Sequence, residues 1–351
     1  MFHDRWSQFV SALRNNYPFN QNAQIFSTRL SNPGAGERRL FPIGLTNFTS
    51  PWNIPYLMKW SFGVQHQLPA ELLLDASYVG SRGVALLRTR DINQPIANTQ
   101  APSGTVNVNA LRPYPGFAGI SSYETSGNSI YHSLQASVTR RFSRGLSIQG
   151  SYTWSRTIDN AVTPLNSYAA SGMERAVSSF DRTHVFVVSY VYELPFARNA
   201  TGLSKYLFQG WQISGINSLQ SGNPLTITIP GDPAGVGGSG QRPNIVAPLT
   251  TDHTLQRWFS PESFATPAQG TFGNAGRGIV RGPGFNNWDV SFSKRTQIHE
   301  RVVLQFRAEF FNLLNHTQFS GVGTSLGAAT FGQVTSARDP RITQLGLRLQ
   351  F

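Results

Sequence analysis

Two glycine-rich stretches match spacings that are associated with chemistry. Residues Gly235 to Gly240 read GVGGSG, a spacing that cradles a dinucleotide pyrophosphate when a strand precedes it and a helix follows it. Residues Gly323 to Gly327 read GTSLG, a spacing that can hold a nucleophilic serine on a strand-to-helix elbow. Pro233 disrupts the approach to the first stretch, and no helical pattern follows either one. Both stretches are therefore interpreted as loops.

Three pairs of side chains could each offer a metal ion two ligands: His3 with Asp4, Asp181 with His184, and His299 with Glu300. A structural or catalytic zinc site needs three or four convergent ligands. The alternative for the second pair is that the neighbours Asp181 and Arg182 form a loop salt bridge or a turn. The chain has 17 Asp plus Glu and no Cys, and no pair of carboxylates stands out for acid–base work. We expect no enzyme activity, no metal and no cofactor.

The elements that would position any such residue are β-strands. Read with a period of two, nine segments place apolar side chains on one face and Ser, Thr, Gln, Asn or Gly on the other. These segments are 60–68, 72–79, 132–142, 146–154, 183–194, 210–220, 287–294, 302–312 and 341–351. No convincing amphipathic helix accompanies them, so the pattern predicts an all-β fold.

The predicted connections alternate between short and long. The short ones are 69–71, 143–145 and 296–301, with an intermediate one at 195–208, and the long ones are about 80–130, 156–182, 221–286 and 313–340. Loops of more than about 15 residues are uncommon in compact soluble domains. Tight periplasmic turns alternating with long extracellular loops are typical of outer-membrane barrels.

Composition leaves room for such a barrel and weakens the case for nucleic acid. No run of 18 apolar residues exists, which excludes a transmembrane helix but not strands that alternate. The net charge is +12, yet the 29 Lys plus Arg are scattered singly or in pairs, with no basic helix or stripe. We expect no nucleic-acid partner.

The two predicted faces suit a membrane wall. Aromatic residues near strand ends are predicted to form interfacial girdles, namely Trp60, Tyr152, Trp154, Tyr190, Tyr192, Trp211 and Trp288. The other face is too polar for the core of a β-sandwich but suits a wide, wet lumen. Since backbone groups in lipid need internal partners, the sheet is expected to close on itself, with outer-membrane lipid against its apolar side.

Strand parity predicts that the wall continues upstream. Bacterial barrels have an even number of strands with both termini in the periplasm, so nine strands do not close one. Residues 1–56 are interpreted as an extracellular loop with a possible remnant strand, and residues 57–351 as the C-terminal strands of a larger barrel. No secretory signal is visible at the N-terminus, and an exported protein would need one upstream.

Several stretches resemble the C-terminal barrel of TonB-dependent receptors, specifically the Oar-like group. They are YVGSRG (78–83), YHSLQASVTRRFSRGLSIQGSYTWSRTIDN (131–160), SSFDRTHVFVVSYVYELPF (178–196), GWQISGINSLQSGNPLT (210–226), RGPGFNNWDVSFSKRTQI (281–298) and LQFRAEFFNLLNHTQF (304–319). The resemblance implies a cell outer membrane location and a full form with a signal peptide, a β-sandwich, a plug and a barrel of about 22 strands. Signal, plug and TonB-contacting segment have no counterpart here, so the TonB complex would be reached only through upstream segments.

The last predicted strand has apolar residues at alternating positions and ends on an aromatic residue. Alternation places Leu345, Leu347, Leu349 and Phe351 together, and the chain ends on the aromatic residue. One interpretation is simply a final hydrophobic strand. The resemblance favours another, in which this end is the recognition signal for the barrel-assembly machinery.

Two functions from different classes remain open. The first is energy-coupled uptake of an unidentified ligand, with contacts expected in the loop segments 107–128, 276–285 and 286–288 because ligand contacts favour loops on rigid scaffolds. The second is an adhesion or secretion-assisting surface protein that uses the same barrel without importing a nutrient. A secreted soluble β-protein is a third possibility, which a need for detergent would exclude.

Overall fold

The structure is a computed structural model that describes most of the chain. The described residues are 13–14, 16, 23–26, 29–32, 37–40, 42–97, 107–169, 174–196, 201–299 and 301–351. Within these ranges, no helix has both the length and the apolarity needed to cross a membrane.

Strands dominate the described residues. In chain order they are β1 Ala23–Phe26, β2 Glu37–Leu40, β3 Ile43–Phe48, β4 Tyr56–Leu68, β5 Leu72–Asp91, β6 Phe117–Ser143, β7 Leu146–Asp159, β8 Ala176–Val177, β9 His184–Glu193, β10 Trp211–Gln220, β11 Pro224–Leu225, β12 Asn244–Ile245, β13 Phe264–Ala265, β14 Val280–Arg281, β15 Phe285–His299, β16 Val302–Phe311, β17 Phe319–Val322, β18 Val334–Ala337 and β19 Ile342–Gln350. One short helix, α1 Leu203–Phe208, and the 3-10 turns Val108–Leu111 and Pro261–Ser263 complete the described elements.

Nine long strands form one antiparallel meander, which we call the wall. Their order across the described sheet is β4-β5-β6-β7-β9-β10-β15-β16-β19, so strands next to each other in the wall follow one another along the chain. Each of the nine predicted segments lies in one of these strands apart from at most one residue at either end, and the prediction of an all-β antiparallel fold is confirmed. Among described residues, β4 pairs only with β5 and β19 only with β16, which leaves the outer edge of each without a partner strand.

The connections alternate in length as predicted. Residues 69–71, 144–145, 194–210 and 300–301 connect one end of the wall, and residues 92–116, 160–183, 221–284 and 312–341 connect the other. In the tightest turn, Arg144 and Gly145 both have positive φ, at 51° and 86°. Two positive φ values suit a type I′ turn, whose twist matches that of the flanking strands.

The first long connection is much shorter than predicted. Residues 80–130 were expected to be a loop, but β5 has 20 residues and β6 has 27, and they stay paired out to Asp91 opposite Ser121. At about 3.3 Å per residue β6 extends roughly 90 Å, three times the thickness of a hydrocarbon layer. Beyond the membrane no face has to be apolar, so the alternating pattern that marks the lower strand disappears.

β3 supports the extended part of β6. β7 ends at Asp159 opposite Ser129, so the upper part of β6 extends beyond β7. β3 pairs in parallel with this upper part, from Ile43 beside Phe117 to Phe48 beside Tyr123. β3 lies within residues 1–56, and the interpretation of those residues as an extracellular loop with a possible remnant strand stays a prediction. The division of the chain at residue 56 stays a prediction, and β4 begins at Tyr56.

A small hydrophobic core lies in the long connections. Ile227, Trp258, Phe259, Phe264 and Val280 are each at least 93% buried there. The partly buried side chains packed around them include Phe319, Phe331 and Val334 from the connection 312–341. We call the described residues of the connections 160–183, 221–284 and 312–341 together the loop cap.

Candidate functional site

The cross-strand register defines two faces of the wall. One row runs Ile148, Tyr190, Gly215, Val290, Phe310 and Thr343, each opposite the next on neighbouring strands. The adjacent row runs Ser147, Val191, Ser214, Ser291, Glu309 and Gln344. Because successive side chains point to opposite sides of a strand, these rows belong to an apolar face and a polar face.

The terminal strand contributes Leu345, Leu347 and Leu349 to the apolar face. Their register partners are Ala308, Phe306 and Leu304 on β16. The three leucines are 69%, 71% and 54% exposed, and Phe351 is 96% exposed. A contiguous leucine surface this open marks a face that something apolar covers. The role of this end in assembly stays a prediction.

All seven predicted girdle aromatics lie on the apolar face. The register places Trp60, Tyr152, Trp154 and Trp288 in the half of the wall nearest the loop cap, and Tyr190, Tyr192 and Trp211 in the half nearest the short turns. Trp211 is fixed at its end of β10, since its indole N–H donates to the carbonyl oxygen of Leu207 over 3.1 Å and Lys294 Nζ lies 5.3 Å from its ring centroid. Their depth relative to lipid stays a prediction.

Ion pairs connect the loop cap to the top of the wall. Arg242 donates to both carboxylate oxygens of Glu174, over 2.8 and 3.0 Å. Arg277 donates to Asp159 Oδ1 over 2.7 Å and to the backbone oxygen of Glu174 over 3.2 Å. All four side chains are at least 86% buried. The pairs therefore fix residues 160–183 and 221–284 against the end of β7.

Glu174 is ionised in spite of its burial. Burial by itself raises the pKa of this carboxyl, but the Arg242 hydrogen bond and charge, the amide of Leu165 and the charge of Arg277 outweigh it, so the pKa lies below the usual value. Sequence reasoning did not find this cluster. Glu174 and Arg242 are 68 residues apart and Asp159 and Arg277 are 118 apart, and no spacing in the chain pairs them.

Asp181 forms a salt bridge with a more distant partner than predicted. Its carboxylate accepts a hydrogen bond from Arg281 over 2.7 Å, while neighbouring Arg182 reaches only the backbone oxygen of Asp181. His184 bonds to Tyr152 instead, at 2.8 Å, so Asp181 and His184 do not form a ligand pair. Asp181 is 98% buried, and the distant arginine compensates a charge that would otherwise be costly there.

The other candidate metal pairs and glycine motifs form no site among the described residues. His3, Asp4 and Glu300 lie outside those residues, and no group of three potential metal ligands occurs in the described ranges. The motif from Gly235 to Gly240 is a turn closed by Asp232, which accepts from the amides of Val236 and Gly237. Neither this motif nor Gly323 to Gly327 is followed by a helix, as the loop interpretation predicted.

The loop segments expected to bind ligand lie in two different environments. In 276–285, Arg277 and Arg281 are engaged in the ion pairs described above, so their charges serve packing within the cap. Segment 107–128 divides at Phe117 into a loop and the extended strand β6. The loop part contacts the cap, because a Cβ on Gly237 would meet Val108 Cγ1 at 2.7 Å.

These two faces, the alternating connections and the ordered cap match a known family. A family model described as an outer membrane beta barrel domain matches residues 1–344. The chain belongs to this family. Its nine described wall strands are accordingly part of an antiparallel outer-membrane barrel, and the protein is located in the outer membrane.

The outer-membrane barrel is also similar to solved structures at low identity. The outer membrane transporter YddB from Escherichia coli has 12% identity and a TM-score of 0.47, over 90% of this chain and 35% of its own. The ferric-catecholate import receptor Fiu from E. coli has 12% identity and a TM-score of 0.40, over 97% and 31%. FpvA of Pseudomonas aeruginosa, bound to pyoverdines, has 13% identity and a TM-score of 0.39, over 84% and 27%. The chain spans about a third of the length of YddB and of Fiu. No curated protein sequence matches it significantly.

Proposed function

We propose that this protein is a TonB-dependent receptor of the Oar-like group, and that this chain forms the C-terminal wall and outer loops. The observation that carries the proposal is the polar face. Its row from Ser147 to Gln344 crosses six strands with one apolar member, Val191. A wall with this inner surface encloses water instead of a packed core, and a water-filled lumen requires a barrel of many strands. The order of the matching stretches along the chain supports the same family.

The loop cap supports a role in recognising a ligand at the cell surface. Its hydrophobic core and the ion pair between Arg277 and Asp159 hold it in one arrangement. Loops held on a rigid scaffold commonly carry binding specificity. In this proposal the ligand enters the lumen from the cap, and segments upstream of this chain supply the plug and the contact with the TonB complex.

Two further partners belong to the proposal. The apolar face lies against the hydrocarbon of the outer membrane, which covers Leu345, Leu347 and Leu349. The barrel-assembly machinery recognises the terminal strand through its final aromatic residue, Phe351. Before the barrel closes, the outer edge of β19 would offer its N–H and C=O groups to a templating strand.

The transport function can be tested in the native host with the full-length gene. Strains lacking this gene, or lacking tonB, would be compared for growth limited by an iron chelate, a vitamin, an oligosaccharide or a peptide source. Energy-coupled uptake predicts that one source supports growth only when both genes are present. Normal growth of both strains on every source, with loss of surface attachment, would support the adhesion alternative instead.

A further inference from the structure

The apolar face of the wall is cationic at both ends. Between the short turns and the register pair Gly83–Ser129, no Asp or Glu of the nine described wall strands lies on this face. Arg140 and Lys294 lie near the short turns, and Arg82 and Arg156 lie near the loop cap. Cationic side chains thus lie at both ends of the apolar face, which suits a bilayer with an apolar interior and anionic headgroups at its two surfaces.

At the end near the loop cap, two imidazoles join the arginines. His132 lies directly opposite Arg156, and also opposite Gly80, two residues from Arg82. His184 lies opposite Trp154, two residues from Arg156. Direct cross-strand neighbours are about 5 Å apart and diagonal ones about 7–8 Å, so the four side chains form one surface on four adjacent strands. We call Arg82, His132, Arg156 and His184 the basic patch.

The first histidine of the basic patch is held by aromatic side chains. His132 Nδ1 lies 2.6 Å from the Tyr78 hydroxyl, and its ring lies edge-on to Trp60 with centroids 6.2 Å apart. Trp60 reaches this position because Gly80 has no side chain; a Cβ there would lie 2.3 Å from the indole.

The second histidine repeats the arrangement. His184 Nδ1 lies 2.8 Å from the Tyr152 hydroxyl, and its ring stacks on Trp154 with centroids 6.5 Å apart. With Nδ1 engaged by a tyrosine, the second ring nitrogen of each histidine is left for a partner outside the chain. A tyrosine that donates to Nδ1 fixes the tautomer that donates from Nε2.

The two arginines lack counter-ions within the described part of the chain. Arg82 and Arg156 are exposed, and no carboxylate of a described residue lies within ion-pair distance of either. The arginines of the loop cap differ, since Arg242 and Arg281 each have a carboxylate partner. The exposed guanidinium groups are therefore free to bind an external anion.

The height of the basic patch corresponds to the outer surface of the bilayer. Arg82 is ten residues beyond Leu72, where β5 leaves its short turn. At about 3.3 Å per residue and a strand tilt of about 40°, that distance is close to the apolar band of about 25 Å in outer-membrane barrels.

An apolar cavity continues from the basic patch along the same face. Its volume is about 650 Å³, and it opens between the ends of β9, β10 and β15 and the connection 312–341. The lining includes His184, Phe186 and Leu219 from the wall, and His316 and Phe319 from the connection. A molecule that reaches the patch with an anionic group thus meets an apolar recess beside it.

We propose that the basic patch binds the phosphate-bearing headgroup of a lipid in the outer leaflet. Arginine donors suit phosphate oxygens, and the flanking tryptophan and tyrosine rings suit the headgroup level of a bilayer. A soluble anion is a poorer occupant, because the patch is continuous with the apolar face and its cavity. This inference does not depend on the transport function.

The test uses the purified full-length protein in detergent with phosphatidic acid as the probe, and native mass spectrometry counts the retained lipid. The double variant R82Q/R156Q is expected to retain about thirtyfold less phosphatidic acid, since each cation near an anionic lipid surface contributes about fivefold in affinity. Retention of phosphatidylcholine as the reference lipid stays unchanged. Raising the salt concentration is expected to lower retention by the native protein more than by the variant, because salt screens the exposed charges.

A matched control removes two arginines from the polar face. Arg295 and Arg348 are exposed, and they lie on the two strands that flank Gln305 of β16. R295Q/R348Q therefore removes the same charge as R82Q/R156Q, again from two strands that flank a third. The control is expected to retain phosphatidic acid as the native protein does. Equal loss in both double variants, or no loss in R82Q/R156Q, would overturn the proposal. Displacement of the lipid by millimolar inorganic phosphate would also overturn it, since the site would then select the free anion.

Discussion

Glu174 shows how single residues hold the loop cap. It accepts two hydrogen bonds from Arg242 and lies 4.0 Å from Arg277, in a site where its side chain is 6% exposed. Removing one partner of a buried pair leaves an uncompensated charge and commonly costs about 3–5 kcal/mol. The stability of the cap therefore depends on the charge state of this one carboxylate.

Lowering the pH is expected to destabilise the loop cap by protonating Glu174. Because the folded pKa lies below the ordinary 4.5, the carboxylate contributes stability that is complete above that value and is lost as the pH falls through the folded pKa. The loss of stability would be measured as faster hydrogen exchange of the amides of Gly278 and Ala275 as the pH is lowered below 4.5. E174Q should begin with weaker protection and show a shallower pH dependence. An equal slope in both proteins would contradict the assignment.

Phe259 is expected to contribute most to the core of the loop cap. It is fully buried and packs its ring against Phe264 and Phe331, at 5.8 and 5.2 Å between centroids. F259A should cost the cap about 3–5 kcal/mol, seen as faster local hydrogen exchange while the wall strands stay protected. F180A removes a ring that is 71% exposed in the same cap and serves as the control. Equal effects of the two substitutions would contradict this prediction.

At the residue scale the sequence allowed some predictions and not others. The alternation of polar and apolar residues placed Leu345, Leu347 and Leu349 on one face correctly, because strand periodicity is local. It could not pair Asp181 with Arg281, which lies 100 residues away, and suggested the adjacent Arg182 instead. Ion pairs across loops depend on the tertiary path of those loops, which leaves no periodic signal in the chain.

At the element scale, membrane-spanning strands were predictable and their extensions were not. All nine wall strands follow alternating segments, since lipid on one side and water on the other impose the pattern. The upper parts of β5 and β6 bury polar side chains such as Arg88 and Glu124 against neighbouring residues, so no alternation of apolar and polar residues marks Gly83 to Asp91 as a strand. Pairing between the two strands sustains them instead.

The hairpin extension is expected to be dispensable for the wall. Leu86 and Gly127 are register partners, so replacing residues 87–126 by a two-residue Asn-Gly turn would join them without altering the pairs below. The full-length variant should assemble in the outer membrane, and its circular dichroism should lose only the strand content of the removed residues. Failure of this variant to assemble, with a variant shortened only at 98–106 assembling normally, would show that the extension is required.

The terminal strand tests the assembly proposal. F351A removes a side chain that is 96% exposed and contributes little packing to the folded wall. Recognition by the assembly machinery predicts severalfold less protein in the outer membrane in cells but unchanged refolding into detergent micelles in vitro. Q350A alters the neighbouring residue as the control. If both measurements fell together for F351A, the residue would be structural instead.

At the scale of the whole molecule, the two faces of the wall explain its location. The apolar face needs no partner protein if hydrocarbon covers it, and the polar face needs no packed core if it lines water. The sequence predicted this division and the alternation of short and long connections. It did not predict the loop cap, whose core brings Ile227 of one connection together with Phe331 of the next, and neither connection has a periodic pattern.

The central claim is that lipid covers one face of the wall and water the other. This chain contains no cysteine, so a thiol introduced into it is the only one within these residues and can carry a spin label. In the full-length protein reconstituted into bilayers, L347C should show collisions with oxygen that exceed those with a water-soluble nickel chelate, and R348C should show the reverse. The same reversal is expected between F306C and R307C on β16. Equal access of the nickel chelate to both members of each pair would contradict the account.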